Sequence, residues 1–435
     1  MLSTADNQQL CQVGPGTPMG DLLRQYWMPM LLSEELPAKD GPPLRVKLLG
    51  ELLVAYRDTS GQVGLMADNC PHRGASMFFG RNEEAGLRCV YHGWKFDLTG
   101  ACTDMPNEPA ESNFKNKVRI TAYQTRERNG VIWAYLGPEE APPALPELEW
   151  NLVPENQRYI SKRLGQCNWV QSLEGGIDTS HSGFLHRPLA KAVFDPTLDI
   201  VQRDRTPRFE VMETDYGVLI GARRGYDDTR YSWGITQFLM PFYSMIPGGL
   251  AFGPSLGGHA WVPMDDETTM TWTVSWHPDR PLTEQEIQGM HVWPNFNIHV
   301  GREGGFLAPT SEPGGAWRTV LNKQNDYLID HQMQQELRYI GINNIGLQDQ
   351  CVQESMGPIY DRTREHLGAA DTAIIRVRNL WLRSARALRE QGLAPVGALS
   401  PEAYRVRSHG LILEKADAHT WIEASAEFRR SKVWV

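Results

Sequence analysis

Two short segments carry the side chains best able to do chemistry. Cys70-Pro-His72-Arg-Gly-Ala and Cys89-Val-Tyr-His92-Gly-Trp present Cys-x-His and Cys-x-x-His with sixteen residues between them. Two thiolates and two imidazoles offered by two loops can hold one tetrahedral zinc, or a [2Fe–2S] cluster in which two histidines replace two cysteines on one iron. Structural zinc sites commonly draw like ligands in pairs from one segment. Here each loop supplies one cysteine and one histidine, which favours the two-iron cluster, Cys70 and Cys89 on one iron and His72 and His92 on the other. Pro71 stiffens the first loop, and Gly74 and Gly93 are expected to let backbone pass close to the sulfides and to offer them N–H groups. Neutral imidazoles leave such a cluster less negative and lift its potential to about −150 to +300 mV, the range of a mild one-electron relay.

The second loaded segment runs from Asn168 through Gln171, Glu174, Asp178 and His181 to His186. Read as a helix from 168 to 181, it places its polar groups on one face, with Trp169, Leu173 and Ile177 elsewhere. A polar stripe of this kind needs buried partners or a function. The five-residue step to His186 leaves that register, and Gly183 is expected to turn the backbone so that both imidazoles converge on one ion. Two histidines and one carboxylate on one face of a metal form the ligand set of non-haem Fe(II) oxygenases, with positions left open for dioxygen. The carboxylate candidate is Asp349, on a short helix late in the chain, and Asp178 is placed to orient an imidazole. His259, His331 and His366 lack ligand-like neighbours and read as structural.

The elements that must position these groups fall into two parts. Thr17-Pro18 opens a short capped helix. From Leu44 to Phe96, and again through Val118–Tyr123 and Gly130–Leu136, short apolar runs broken by turn residues read as strands. The prolines between Gly137 and Pro146 mark a boundary. Beyond it, Arg208–Glu213 and the alternating Thr269–Trp276 read as strands, with helices near 325–339 and 371–391. The expected organisation is a leading helix over 1–26, a β-rich domain over 27–143 and an α+β domain over 144–435.

Composition removes other classes. Lys and Arg number 43 against 52 Asp and Glu, a net charge of −9, which argues against phosphate neutralisation and hence nucleic-acid binding. No window has the length of apolar residues a spanning helix needs, and the N-terminus lacks a secretory pattern, so a cytoplasmic protein is expected. Six cysteines are too few for a disulfide scaffold, and Cys11, Cys102, Cys167 and Cys351 read as plain thiols.

Taken together, these motifs, with Glu354-Ser-Met-Gly-Pro-Ile-Tyr-Asp-Arg-Thr, closely resemble the oxygenase component of Rieske non-haem iron ring-hydroxylating oxygenases, particularly the phthalate dioxygenase-like group. The resemblance implies a β-rich Rieske [2Fe–2S] domain followed by a helix-grip catalytic domain, a curved antiparallel sheet wrapped on a long helix. It implies a cluster on Cys70, His72, Cys89 and His92, and a mononuclear Fe(II) on His181, His186 and Asp349. It further implies trimers, or hexamers of stacked trimers, in which Asp178 bridges His181 of one chain and His92 of the next. Electrons are expected from NAD(P)H through a reductase carrying flavin and a plant-type [2Fe–2S] ferredoxin. The expected reaction is insertion of one or both atoms of O2 into a phthalate- or benzoate-like acid, with O-demethylation of methoxyaromatic acids as the alternative. An arginine among Arg203, Arg205, Arg208, Arg223 and Arg224 is expected to hold the substrate carboxylate. Other readings are an electron-transfer or sensing protein without oxygenase activity, and a zinc-stabilised interaction module.

Overall fold

The computed structural model describes residues 2–190, 196–247 and 256–433. The N-terminal half is built on two antiparallel sheets. One has six strands in the order Trp27–Leu32, Val131–Tyr135, Ala122–Arg128, Val63–Ala67, Glu51–Arg57, Leu44–Leu48. The other has four short strands, Arg81–Glu83, Gly86–Arg88, Lys95–Phe96 and Cys102–Asp104, in sequence order. The loop holding Cys70 and His72 follows the Val63–Ala67 strand, and Cys89–Trp94 is the tip between Gly86–Arg88 and Lys95–Phe96.

The C-terminal half carries a large antiparallel sheet in the spatial order Arg158–Gly165, Thr269–Trp276, Leu256–Pro263, Tyr243–Ile246, Arg230–Leu239, Gly217–Gly225, Arg208–Glu213, with His409–Glu414 added beside Arg230–Leu239. Helix Trp169–Ile177 lies on the middle strands, and the long helix Thr372–Gln391 on the 208–225 end. This is the helix-grip layout. Thr269–Trp276 is buried along its whole length, so its alternating sequence does not divide wet from dry faces: Thr269, Thr271 and Thr273 are buried as Trp272 and Trp276 are. Thr17 caps the short helix Pro18–Leu23 by accepting from the Gly20 N–H, but that helix ends before Trp27, which opens a strand. The helix expected over 325–339 is instead a tight turn with Asp326 and Tyr327 left-handed, followed by a single short helix, His331–Glu336.

The two halves share one hydrophobic core. Trp27, Leu31, Trp133 and Trp150 belong to the same buried cluster as Trp261, Met264 and Trp272. The cluster-motif loops have a second, smaller core of their own, made of Val54, Met66, Met77, Leu87, Trp94 and Phe96 around Cys70 and Cys89. At the seam Glu149, wholly buried, accepts from Arg407, from the Trp276 indole and from the Ser431 hydroxyl, tying the inter-domain segment to the C-terminus. No helix among the described residues is long and apolar enough to cross a membrane.

Candidate metal centres

The two Cys/His loops have the same backbone construction. In each, the cysteine N–H donates to the carbonyl five residues on, Cys70 to Ala75 and Cys89 to Trp94, both at 2.8 Å. In each, a glycine N–H returns to the cysteine carbonyl, Gly74 at 2.8 Å and Gly93 at 3.0 Å. Both glycines are left-handed, at φ 77° and 78°, the conformation a residue with a Cβ resists. Their N–H groups are therefore consumed in closing the loops, and the expectation that they serve the sulfides is not met.

Cys70 and Cys89 are buried side by side, and burial pushes the Cys70 thiol up to about 11. The His72 and His92 rings meet edge to face at 4.5 Å between centroids, and the His72 Nδ1 is buried without a hydrogen-bond partner. Among the described residues, the one group of three or more such side chains whose ligand atoms lie within 4.8 Å of one another is His181, His186 and Asp349. The four Cys and His groups thus do not close on a single point, as a tetrahedral zinc requires. Paired sulfurs on one side and paired imidazoles on the other suit a two-metal rhomb.

At the second centre the helix from Trp169 stops at Ile177, and Asp178 is its C-cap. The polar stripe expected over 168–181 is therefore cut short. Asn168, Gln171 and Glu174 have structural partners: the Asn168 amide donates to the Cys11 and Asp266 carbonyls, the Gln171 amide to those of Gln353 and Gly357, and Glu174 accepts from Arg362 and Arg378. His181 begins a separate single turn. Gly183 is not left-handed. Its lack of a Cβ matters because one would come within 3.0 Å of Arg205 and 3.2 Å of the Val201 carbonyl, so its role is close approach rather than turning.

The three candidate ligand atoms form a nearly equilateral triangle. His181 Nε2 and His186 Nε2 are 3.2 Å apart, and Asp349 Oδ1 lies 3.4 Å from the first and 3.3 Å from the second. Two imidazoles and one carboxylate this close together would serve as the facial ligand set that non-haem Fe(II) takes. The other ring nitrogens are spoken for. His186 Nδ1 donates to Gln348 Oε1 at 2.6 Å, the amide being fixed by its own bond to the Ile342 carbonyl, and His181 Nδ1 faces Asp178 Oδ2 at 3.4 Å. With both Nδ1 atoms protonated, both Nε2 lone pairs turn inward. The site favours positive charge. Burial opposes protonation of His181, yet Asp178 and Asp349 push it up to about 10, while the two histidines, against the cost of burial, hold Asp349 far below the usual carboxylate range.

A cavity of about 330 Å³ opens beside this triangle. Of the five arginines singled out, only Arg224 lines it. Arg224 is buried, donates one Nη to the Thr179 carbonyl at 2.6 Å, and has its Nε without a hydrogen-bond partner. Arg205 instead lies over Phe184, Arg223 over Tyr231, and Arg208 is exposed on an outer strand. His259, read as merely structural, also lines the cavity with its Nδ1 unpartnered; burial and the Arg163 cation push it down to about 3, so it is a neutral imidazole. Gln348 and Ser275 escaped the sequence reading, and His259 was given no role at the site, because they reach it from separate sheet strands and a helix with no local motif.

Comparison with known proteins agrees with this geometry. The model of the Rieske [2Fe–2S] domain matches residues 26–123, and that of the LigXa C-terminal domain like family matches residues 134–433. The chain is 39% identical to the 3-chlorobenzoate-3,4-dioxygenase oxygenase subunit of Comamonas testosteroni, covering 95% of each chain. It is 36% identical to the phthalate 4,5-dioxygenase oxygenase subunit of Pseudomonas putida, over 91% of this chain and 89% of that one. Identity to the 5,5'-dehydrodivanillate O-demethylase oxygenase subunit of Sphingobium sp. is 35%, over 88% and 80%. The fold is shared with the oxygenase of carbazole 1,9a-dioxygenase, solved as a ferredoxin complex, at a TM-score of 0.57 and 18% identity over 90% and 98% of the two chains.

Proposed function

The chain belongs to the Rieske non-haem iron oxygenases, as an oxygenase component of the phthalate dioxygenase-like group, and on that premise we propose that it inserts oxygen from O2 into an aromatic carboxylate. The enzymes of this family use a Rieske [2Fe–2S] cluster and a mononuclear non-haem iron. In this reading Cys70, His72, Cys89 and His92 hold the first, and His181, His186 and Asp349 the second. The observation that carries it is the triangle of inward-turned ligand atoms at the wall of a cavity large enough for one aromatic ring. When bound, the cluster supplies single electrons and the lone iron a site at which dioxygen is activated beside the substrate. The chain's own contributions are orientation, charge and exclusion of water. Gln348 and Asp178 fix the two imidazoles. Leu256, Ile298 and Trp261 give the cavity apolar walls that keep bulk water away from a reactive centre.

Arg224 binds the substrate carboxylate in this reading. A buried guanidinium with an unused N–H beside an apolar cavity is suited to a carboxylate. Losing a charged hydrogen bond costs about 1.5–3 kcal/mol, so Arg224→Met is expected to raise KM for aromatic acids about 10- to 100-fold. The corresponding Met variants of Arg203, Arg205, Arg208 and Arg223 leave it unchanged. An unaltered KM in Arg224→Met would remove the assignment.

The working unit is read as a head-to-tail trimer or a stacked pair of trimers. Val90 and Tyr91 expose apolar surface beside His92, and Phe184 and Tyr339 expose it near His181. Apolar patches at two different places on one chain suit a heterologous contact, which forms a ring when its rotation closes. Asp178 then joins His181 to the partner subunit's His92. We place the domain break in the proline-rich stretch ending at Pro146, and the protein in the cytoplasm.

O-demethylation of a methoxyaromatic acid is the second reading, favoured by the relationship to the dehydrodivanillate enzyme. Oxygen uptake by the purified protein with NADH, a flavin and plant-type-ferredoxin reductase, and a panel of benzoates, phthalates and methoxybenzoates separates the two. Product mass shows added oxygen or a lost methyl group, and a panel without uptake overturns both.

A further inference from the structure

The two histidines of the cluster motif face different surroundings. On the His92 side, Tyr91 lies over the ring at 3.9 Å, Tyr91 and Val90 are exposed, and one exposed cation, Arg73, lies over the Tyr91 ring at 5.4 Å. On the His72 side, Trp94 stacks on the imidazole at 4.4 Å with an interplanar angle of 11°, and its indole is pinned by donation to Asn107 Oδ1 at 2.7 Å. Phe114 in turn meets Trp94 edge to face at 6.0 Å and is 40% exposed. Three aromatic rings therefore run in contact from a candidate cluster ligand to the surface.

Where that ladder surfaces, the sequence reads Phe114-Lys-Asn-Lys-Val-Arg119, and Lys115, Lys117 and Arg119 are all exposed. The acids just before this run are Asp104, which pairs with Arg88, half-buried Glu108 and exposed Glu111. The run itself holds three cations and no acid on a chain whose net charge is −9. The His92 side thus presents aromatic and aliphatic surface with one cation, and the Phe114 side presents three cations. Permanent subunit contacts are apolar, whereas electron-transfer encounters are small, polar and steered by opposite charge.

We propose that Phe114, Lys115, Lys117 and Arg119 form the docking port for an acidic ferredoxin-type electron donor, and that Trp94 and Phe114 lead from that port to His72. The proposal rests on the Rieske oxygenase reading. At each encounter one electron leaves the donor's reduced [2Fe–2S] centre, which is oxidised, and reduces the centre held by Cys70, His72, Cys89 and His92, with no bond made or broken. Electrons enter past His72 and leave past His92, so the donor does not compete with the neighbouring subunit for one face.

The test uses the oxidised holoenzyme, anaerobic, mixed in a diode-array stopped-flow instrument with a photoreduced plant-type [2Fe–2S] ferredoxin and read as bleaching of the holoenzyme's own visible spectrum, resolved from the donor's different spectrum as the donor regains its colour. Lys115→Glu combined with Lys117→Glu is expected to slow bleaching about tenfold or more at low ionic strength, and the difference closes at high salt. Arg389→Glu, at the exposed end of the long helix, leaves the rate unchanged. Phe114→Ala slows the reaction at saturating donor without changing its salt dependence. Bleaching of the double variant at the wild-type rate, equal slowing by Arg389→Glu, or a wild-type rate indifferent to salt overturns the port. A protein isolated without visible absorption overturns the cluster reading itself.

Discussion

Replacing Asp178 by Asn is expected to leave the red-brown colour and the bound iron in place while cutting turnover about 100-fold, the upper part of the range seen when a group orienting a metal ligand is lost. The two oxygens of Asp178 both serve as acceptors. Oδ1 takes the Ser180 N–H at 2.6 Å and Oδ2 faces the His181 Nδ1 at 3.4 Å. Although burial opposes it, the carboxyl is held below its ordinary range by these contacts, and so carries a full negative charge across neutral pH. An amide offers one acceptor and one donor. Whichever way it sits, an N–H is turned toward another N–H, and the His181 ring loses the partner that keeps its Nε2 directed at the metal. Asp178→Asn should therefore lower kcat while substrate KM and iron content stay near normal. Turnover within a few-fold of the parent, measured per bound iron, would remove Asp178 from the relay.

The second large effect is expected from His181→Ala or His186→Ala. Each deletes one corner of the ligand triangle, and two remaining ligands do not hold an ion against water and chelators as three do. Oxygen insertion should be abolished and the lone iron lost, while the visible absorption of the cluster persists, because its ligands stand in a separate small core. The cluster should still bleach with reductant. If colour vanished with the histidine, the division of ligands between the two centres would be wrong.

Much of this arrangement was legible in the chain itself, because metal ligands held by one turn or loop leave a local spacing. Cys70 with His72, Cys89 with His92, and His181 with His186 each lie within six residues, and the structure brings each set together. Asp349 was nameable only as a candidate, since its meeting with the histidines depends on how helix Ile345–Ser355 docks on Trp169–Ile177. Residues that shape the cavity were harder. His259 and Ser275 sit on strands buried on both faces, where alternation of polar and apolar types no longer reports which side faces a ligand. Arg224 could not be told from Arg223, because the register of their shared strand decides which points inward, nor from Arg203, Arg205 and Arg208, whose elements pack elsewhere only in the folded chain. The helical stripe failed for a related reason: Gly175 and Gly176 weaken the helix just before Asp178, and three of its polar groups had already found partners.

The hydrophobic cluster common to both halves bears on how such enzymes can be recombined. The proline-rich stretch looks like a place to cut, yet the apolar face formed by Trp27, Leu31 and Trp133 is continuous with Trp261 and Met264 beyond it. A grafted N-terminal half from a relative would meet a mismatched surface unless those contacts travelled with it. Chimeras should be joined along that buried seam, not at the visible linker, and donor halves chosen for complementary side-chain volume before catalytic repertoire.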